Sequence, residues 1–197
     1  SLAETILCCL PVFFILVIVR AVKLSRINDR RQIVRFLCAL LAVSSLFYTL
    51  FICGFAMGYR GSTLESKLGM TRRNVSADEL QHTAEILVKK MNDLSDEITF
   101  TYGSFSVMPY TLDEMNSKLC DAYAQLAEQV SAVSSVRTHT KYVVGSEIMS
   151  YMHITGVYTY YTGEANININ FPDYTIPYTA AHEMAHQRGF AREDEAN

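Results

Sequence analysis

Two apolar runs dominate the first third of the chain. Residues 6–19 carry no charge and are followed at once by Arg20 and Lys23, while residues 36–59 form a second uncharged run. A helix needs about 20 apolar residues to cross ~30 Å of hydrocarbon. The second run meets that length, and the first meets it if Arg20 snorkels to the interface, giving spans over about 6–22 and 36–59. Pro11 falls inside the first run and is expected to kink it, which membrane helices tolerate. A buried core helix is the competing reading of each run. Between the runs lie Arg20, Lys23, Arg26, Arg30, Arg31 and Arg35, opposed by Asp29 alone. A short basic loop of this kind is retained in the cytoplasm, which puts residues 61–197 on the extracytoplasmic side.

Beyond residue 60 the pattern becomes α+β. Ser76 and Glu79 form a capping box ahead of Leu80, Ala84, Leu87, Val88 and Met91, predicting a helix over 77–95. Thr111 and Glu114 form a second box, with Met115, Leu119, Ala122, Leu126 and Val130 as the apolar face of a helix over 112–132. Residues 98–109 read as a loop or short strand. The Tyr-, Val- and Ile-rich segments 141–144, 156–161 and 165–170 read as strands. In the last of these, Asn166, Asn168 and Asn170 alternate with Ile167 and Ile169, predicting a half-buried strand with its amides in solvent. A plain sheet strand is the first reading of its role, and an edge strand over the site helix that binds substrate by strand addition is the second.

Composition sharpens this division. The chain has 197 residues, half of them hydrophobic, and a formal net charge of −3, which gives no basic face for nucleic acid. Only 19% of residues are charged, and disorder is excluded by the amount of apolar surface available for burial. Of the five cysteines, Cys8, Cys9, Cys38 and Cys53 lie in the apolar runs, and Cys120 has no partner in a metal-binding or disulfide pattern. Ser1 and Asn197 read as cut ends of a longer chain.

The chemistry is concentrated near the end. His182 and His186 are one helical turn apart, with Glu183 between them, in the H-E-x-x-H arrangement. On a helix both imidazoles reach one ion, and the glutamate addresses a water beside it. Pro177 suits the start of that helix and Gly189 its end. Two histidines and one carboxylate leave a position open, which is the catalytic form of a Zn2+ site. Glu193, Asp194 and Glu195 are the candidates for the third ligand. A helix over 190–197 favours Glu193, with Asn197 on the same face to orient a ligand, and a rotated helix would favour Glu195. Tyr178 and Tyr161 are candidates to hydrogen-bond an oxyanion. Arg188 and Arg192 read as solvated or paired with acids. His82, His139 and His153 read as surface or hydrogen-bonded histidines.

Five stretches, Tyr59-Arg60-Gly61-Ser62-Thr63, Met108-Pro109-Tyr110, Gly163-Glu164-Ala165-Asn166, Pro172-Asp173-Tyr174 and the closing HEMAHQRGFAREDEAN, carry a resemblance that runs nearly end to end. The chain resembles a family of bacterial membrane proteins catalogued as a domain of unknown function, whose members look like gluzincin-type zinc metallopeptidases. The Glu-x-x-Ala-Asn ending is also similar to the Glu-x-x-Ala-Asp of membrane HExxH peptidases in which that glutamate is the third ligand, and this maps onto Glu193. The resemblance implies a zincin-like extracytoplasmic domain carried on transmembrane helices, with His182, His186 and Glu193 holding Zn2+, Glu183 as general base, and a protein or peptide substrate. It also implies a further apolar segment before Ser1 and more helical sequence after Asn197. The alternative is a non-catalytic zinc-binding membrane sensor or scaffold. A metal-free helix that simply buries His182 and His186 is a third reading.

Overall fold

The structure is a computed structural model and describes residues 1–27, 29–71, 73–98, 100–101 and 105–196. It is a mixed α+β arrangement in which two long apolar helices precede a small sheet and its packed helices. Helix α1 spans Leu2–Ile27 and helix α2 spans Arg30–Gly54; both are long and apolar enough to cross a membrane. Almost nothing on either is covered by the rest of the chain, so neither is the core helix of a globular domain. Each is longer than the apolar run that predicts it. Pro11 sits within α1, which continues past it. The basic residues expected in a loop instead belong to the helices: Arg20, Lys23 and Arg26 to the end of α1, and Arg30, Arg31 and Arg35 to the start of α2. The physical reason is local. Asp29 caps α2 by accepting from the N–H groups of Arg31 and Gln32, so that helix begins at Arg30, inside the basic stretch. Helix α2 also stops earlier than the uncharged run, with Phe55 as its C-cap and a 3-10 turn over Ala56–Arg60 beyond it.

A short helix α3 (Leu64–Lys67) leads to α4 (Ala77–Ser95) and α5 (Leu112–Gln129). Both predicted capping boxes are formed, Ser76 with Glu79 and Thr111 with Glu114. Helix α5 ends at Gln129, short of the predicted 132, because Val130 takes an extended conformation. Helix α4 buries none of its residues, and Leu80, Leu87, Val88 and Met91 are exposed. Between α4 and α5 a two-residue ladder pairs β1 (Phe100–Thr101) with β2 (Phe105–Ser106).

The main sheet has β3 (Thr140–Tyr142), β4 (Gly156–Thr159) and β5 (Glu164–Ile167) in the order β3-β5-β4. Strand β3 runs parallel to β5, and β4 antiparallel to it. Helix α6 (Ser146–Tyr151) bridges β3 and β4, and α7 (Ile176–Gln187) packs across β5 and β4. The alternating asparagines correct the sequence reading. Strand β5 is central and fully buried, and Asn166 and Asn168 are 1% and 2% exposed. Their amide nitrogens are bonded inside: Asn166 Nδ2 donates to Thr159 Oγ1, and Asn168 Nδ2 to the Ile154 carbonyl and Ser150 Oγ. Asn166 Oδ1 is buried with no partner among the described residues, so polar alternation here reports a core that is largely, not wholly, hydrogen-bonded. The strand at the edge beside the site helix is β4.

Two apolar clusters fix α7. Met115 of α5, Ile167 of β5, and Ile176 and Ala180 of α7 form one, and Val133, Ala185 and Phe190 form the other. Asn116 ties α5 to β3, accepting from the N–H and hydroxyl of Thr140 and donating to its carbonyl.

Candidate metal centre

His182, Glu183 and His186 lie in the second half of α7, and Pro177 falls in its first turn. The helix ends as glycine dictates. Gly189 has φ +94°, its N–H bonds to the His186 carbonyl, and the Phe190 N–H reaches back to Ala185. This pair of bonds, with Phe190 packed on Ala185, is a Schellman ending. It turns the chain so that α8 (Glu193–Ala196) returns against α7.

The same ending prepares a ligand. His186 Nδ1 lies 2.6 Å from the Phe190 carbonyl oxygen. A carbonyl only accepts, so Nδ1 carries the proton and Nε2 presents a lone pair. That Nε2 is 3.2 Å from His182 Nε2 and 3.7 Å from Glu193 Oε2, and Glu193 Oε2 is 3.0 Å from His182 Nε2. Ligands about 2.1 Å from one tetrahedral ion stand roughly 3.4 Å apart. The three separations straddle that value, and the donor set of two imidazoles and a carboxylate suits zinc.

Glu183 faces the same space but is not in the converging group. Its Oε2 is buried with no hydrogen-bond partner among the described residues. Burial, with the charge of Glu193 adding to it, pushes its carboxyl up to about 8. A dication beside it acts in the other direction and favours the carboxylate. Gly156 of β4 makes room for it: a Cβ there would stand 2.6 Å from Glu183 Oε1 and 2.8 Å from Thr179 Cγ2.

The cleft over these groups has a volume of about 370 Å³. Its walls are Phe55 after α2, residues 153–158 leading into β4, and the three converging side chains with Glu183. Neither Tyr161 nor Tyr178 is among its lining residues. Tyr161 packs on Phe47 and Tyr160, and Tyr158 takes the place by the site, stacked 6.0 Å from the His186 ring. His153 also lines the cleft, at φ +55°. It occupies the αL position ending α6, where glycine or asparagine is usual, and no sequence spacing marks it.

The alternatives for the third ligand part company here. Glu195 Oε1 accepts from the Leu64 N–H at the start of α3 and lies 3.9 Å from Arg192 Nε, so it fastens α8 to the segment after α2. Asp194 is adjacent on α8 but is not in the converging group. Asn197 lies outside the described residues. Arg188 is part-buried and its partners among the described residues are not acids: it donates to the carbonyls of Ser134, Val136 and Met184 and covers the Tyr123 ring. Arg192 donates to the Tyr59 carbonyl. Gly58 completes this clamp, since a Cβ there would meet Ala191 Cβ at 2.6 Å.

Over residues 1–197 the chain matches the family described as Protein of unknown function (DUF3810), and it belongs to that family. No curated protein and no solved structure matches it.

Proposed function

We propose that the protein is a membrane-anchored zinc metallopeptidase with a zincin-like, extracytoplasmic catalytic domain. The observation that carries this reading is the convergence of His182, His186 and Glu193 beside a buried Glu183 oxygen that has no hydrogen-bond partner among the described residues. His182 Nε2, His186 Nε2 and Glu193 Oε2 would hold the ion. When bound, zinc supplies Lewis acidity toward a water and a carbonyl oxygen. Glu183 takes a proton from the attacking water. The water oxygen joins the carbonyl carbon, the C–N bond breaks, and the proton passes from Glu183 to the departing amine. His153 and Tyr158 line the cleft and are the candidates to hydrogen-bond the substrate carbonyl. The basic turn between α1 and α2 supports an orientation with residues 61–197 outside the cytoplasm. The resemblance to bacterial membrane proteins supports the bacterial cell membrane as the location.

The test is Glu183→Gln in the full chain. Zinc content is expected to stay at one equivalent while cleavage of a peptide library falls by about 10²–10⁴-fold. Cleavage at the parent rate would overturn the mechanism. One equivalent of zinc with no turnover in the parent chain would favour a zinc-binding sensor or scaffold.

A further inference from the structure

Three features bring the cleft to the end of the second apolar helix. Counting from Phe36, the roughly 20 residues needed to cross the hydrocarbon are used up at Phe55. Phe55 caps α2, lines the cleft, and has its ring 6.4 Å from that of His186. The turn between β4 and β5 reaches lower still. Tyr160 packs 5.4 Å from Phe51, and Tyr161 6.4 Å from Phe47. Phe47 lies about 10 Å back along the helix from Gly54 at 1.5 Å per residue. At that depth the turn dips past the boundary into the outer hydrocarbon, and tyrosine's amphipathic ring suits a position that bridges it and the headgroup layer. The third feature is α6. Its N-cap Gly145 donates to Glu4 in the first turn of α1, and its far end delivers His153 and Ile154 to the cleft wall. Along it Val144, Ile148, Tyr151 and Met152 are 94%, 68%, 81% and 64% exposed. This apolar segment is continuous with the start of one span and with the cleft.

We propose that the cleft opens at the headgroup layer of the bilayer and takes, as its substrate class, polypeptides themselves tethered to that membrane. The proposal rests on the hydrolytic reading above and adds to it where the scissile bond is presented. A tethered chain is confined to the thin layer in which His182, His186 and Glu183 lie, and its effective concentration there exceeds that of the same peptide free in solution.

The chain contains no tryptophan, so single-tryptophan variants report depth without background. Tyr161→Trp and Val157→Trp, the latter on the cleft wall, are to be reconstituted in phosphatidylcholine vesicles brominated at defined acyl positions. Shallow bromines are expected to quench both and deep bromines to quench Val157→Trp weakly. Lack of quenching at Val157→Trp by any brominated lipid, or at Tyr161→Trp, overturns the proposal. In a second arm, the zinc-loaded chain in plain vesicles receives a fluorogenic peptide library with or without an N-terminal palmitoyl chain. The palmitoylated set is expected to be cut at least tenfold faster. Equal rates overturn the tethered substrate class and leave hydrolysis standing. No cleavage of either set overturns the hydrolytic reading and this substrate class with it.

Discussion

Glu183 and Gly156 form the tightest pair of roles in the cleft. The carboxylate can sit beside the converging ligands only because the facing strand offers a hydrogen where any other residue has a Cβ. Gly156→Ala would push the Glu183 side chain aside without touching a ligand atom. The expected result is retained zinc, a rate reduced by about 10²-fold from misplacement of the base, and a stability loss of about 1–3 kcal/mol from overpacking. Rate, zinc content and the denaturation midpoint check it together. Of this residue-scale picture, His182, Glu183, His186 and Glu193 were legible, because a helix period alone aligns the first three and the second short helix aligns the fourth. Gly156, Tyr158 and His153 were not. They reach the cleft from a strand and from a helix ending some thirty residues earlier in the chain, and only the sheet pairing brings them there.

At the scale of elements, capping chemistry carried the most information. Both long helices after residue 60 begin where a Ser or Thr meets a Glu three residues on, and both are found there. Strand β5 was misread for the converse reason. Asn166, and Asn168 just past its end, look like a solvent face until the partners in β4 and α6 that accept from their amide nitrogens are known. The start of β5 also anchors the first apolar helix. Glu164 accepts from Lys141 Nζ and from the Leu2 and Ala3 N–H groups. Burial alone would raise its pKa, but these hydrogen bonds and the lysine charge outweigh that and hold it at about 2. A carboxylate whose folded pKa is depressed stabilises the fold above its unfolded pKa. That contribution is lost as pH falls from about 4.5 toward 2. Lys141 is well exposed, so solvent screening limits the contribution to about 1 kcal/mol. Stability measured from pH 6 down to pH 2 is therefore expected to fall less steeply in Glu164→Gln than in the parent, the two curves converging at the acid end.

For the whole molecule, a paired apolar helix at the start and an acidic α+β portion behind it could be read from the distribution of charge. The contact between them could not. The clamp made by Gly58, Tyr59 and Leu64 on the Ala191–Glu195 stretch joins residues more than 130 positions apart. It links the end of α2 to the helix that bears Glu193, so anchorage and ligand placement share one set of contacts. The proposed orientation makes its own prediction. With the native cysteines replaced, Glu128→Cys is expected to react with a membrane-impermeant maleimide on intact cells, and Arg26→Cys only after the membrane is opened. Labelling in the reverse order would overturn the orientation.

The central claim is that two imidazoles and the Glu193 carboxylate share one zinc ion. X-ray absorption at the zinc edge of the loaded full chain tests it most directly. The account predicts two nitrogen and two oxygen neighbours at about 2.0–2.2 Å, one oxygen from a carboxylate and one from water. It also predicts that Glu193→Gln changes this shell and weakens binding, whereas Glu195→Gln leaves it intact. Failure to bind one equivalent, or a shell that Glu193→Gln leaves unaltered, would contradict it.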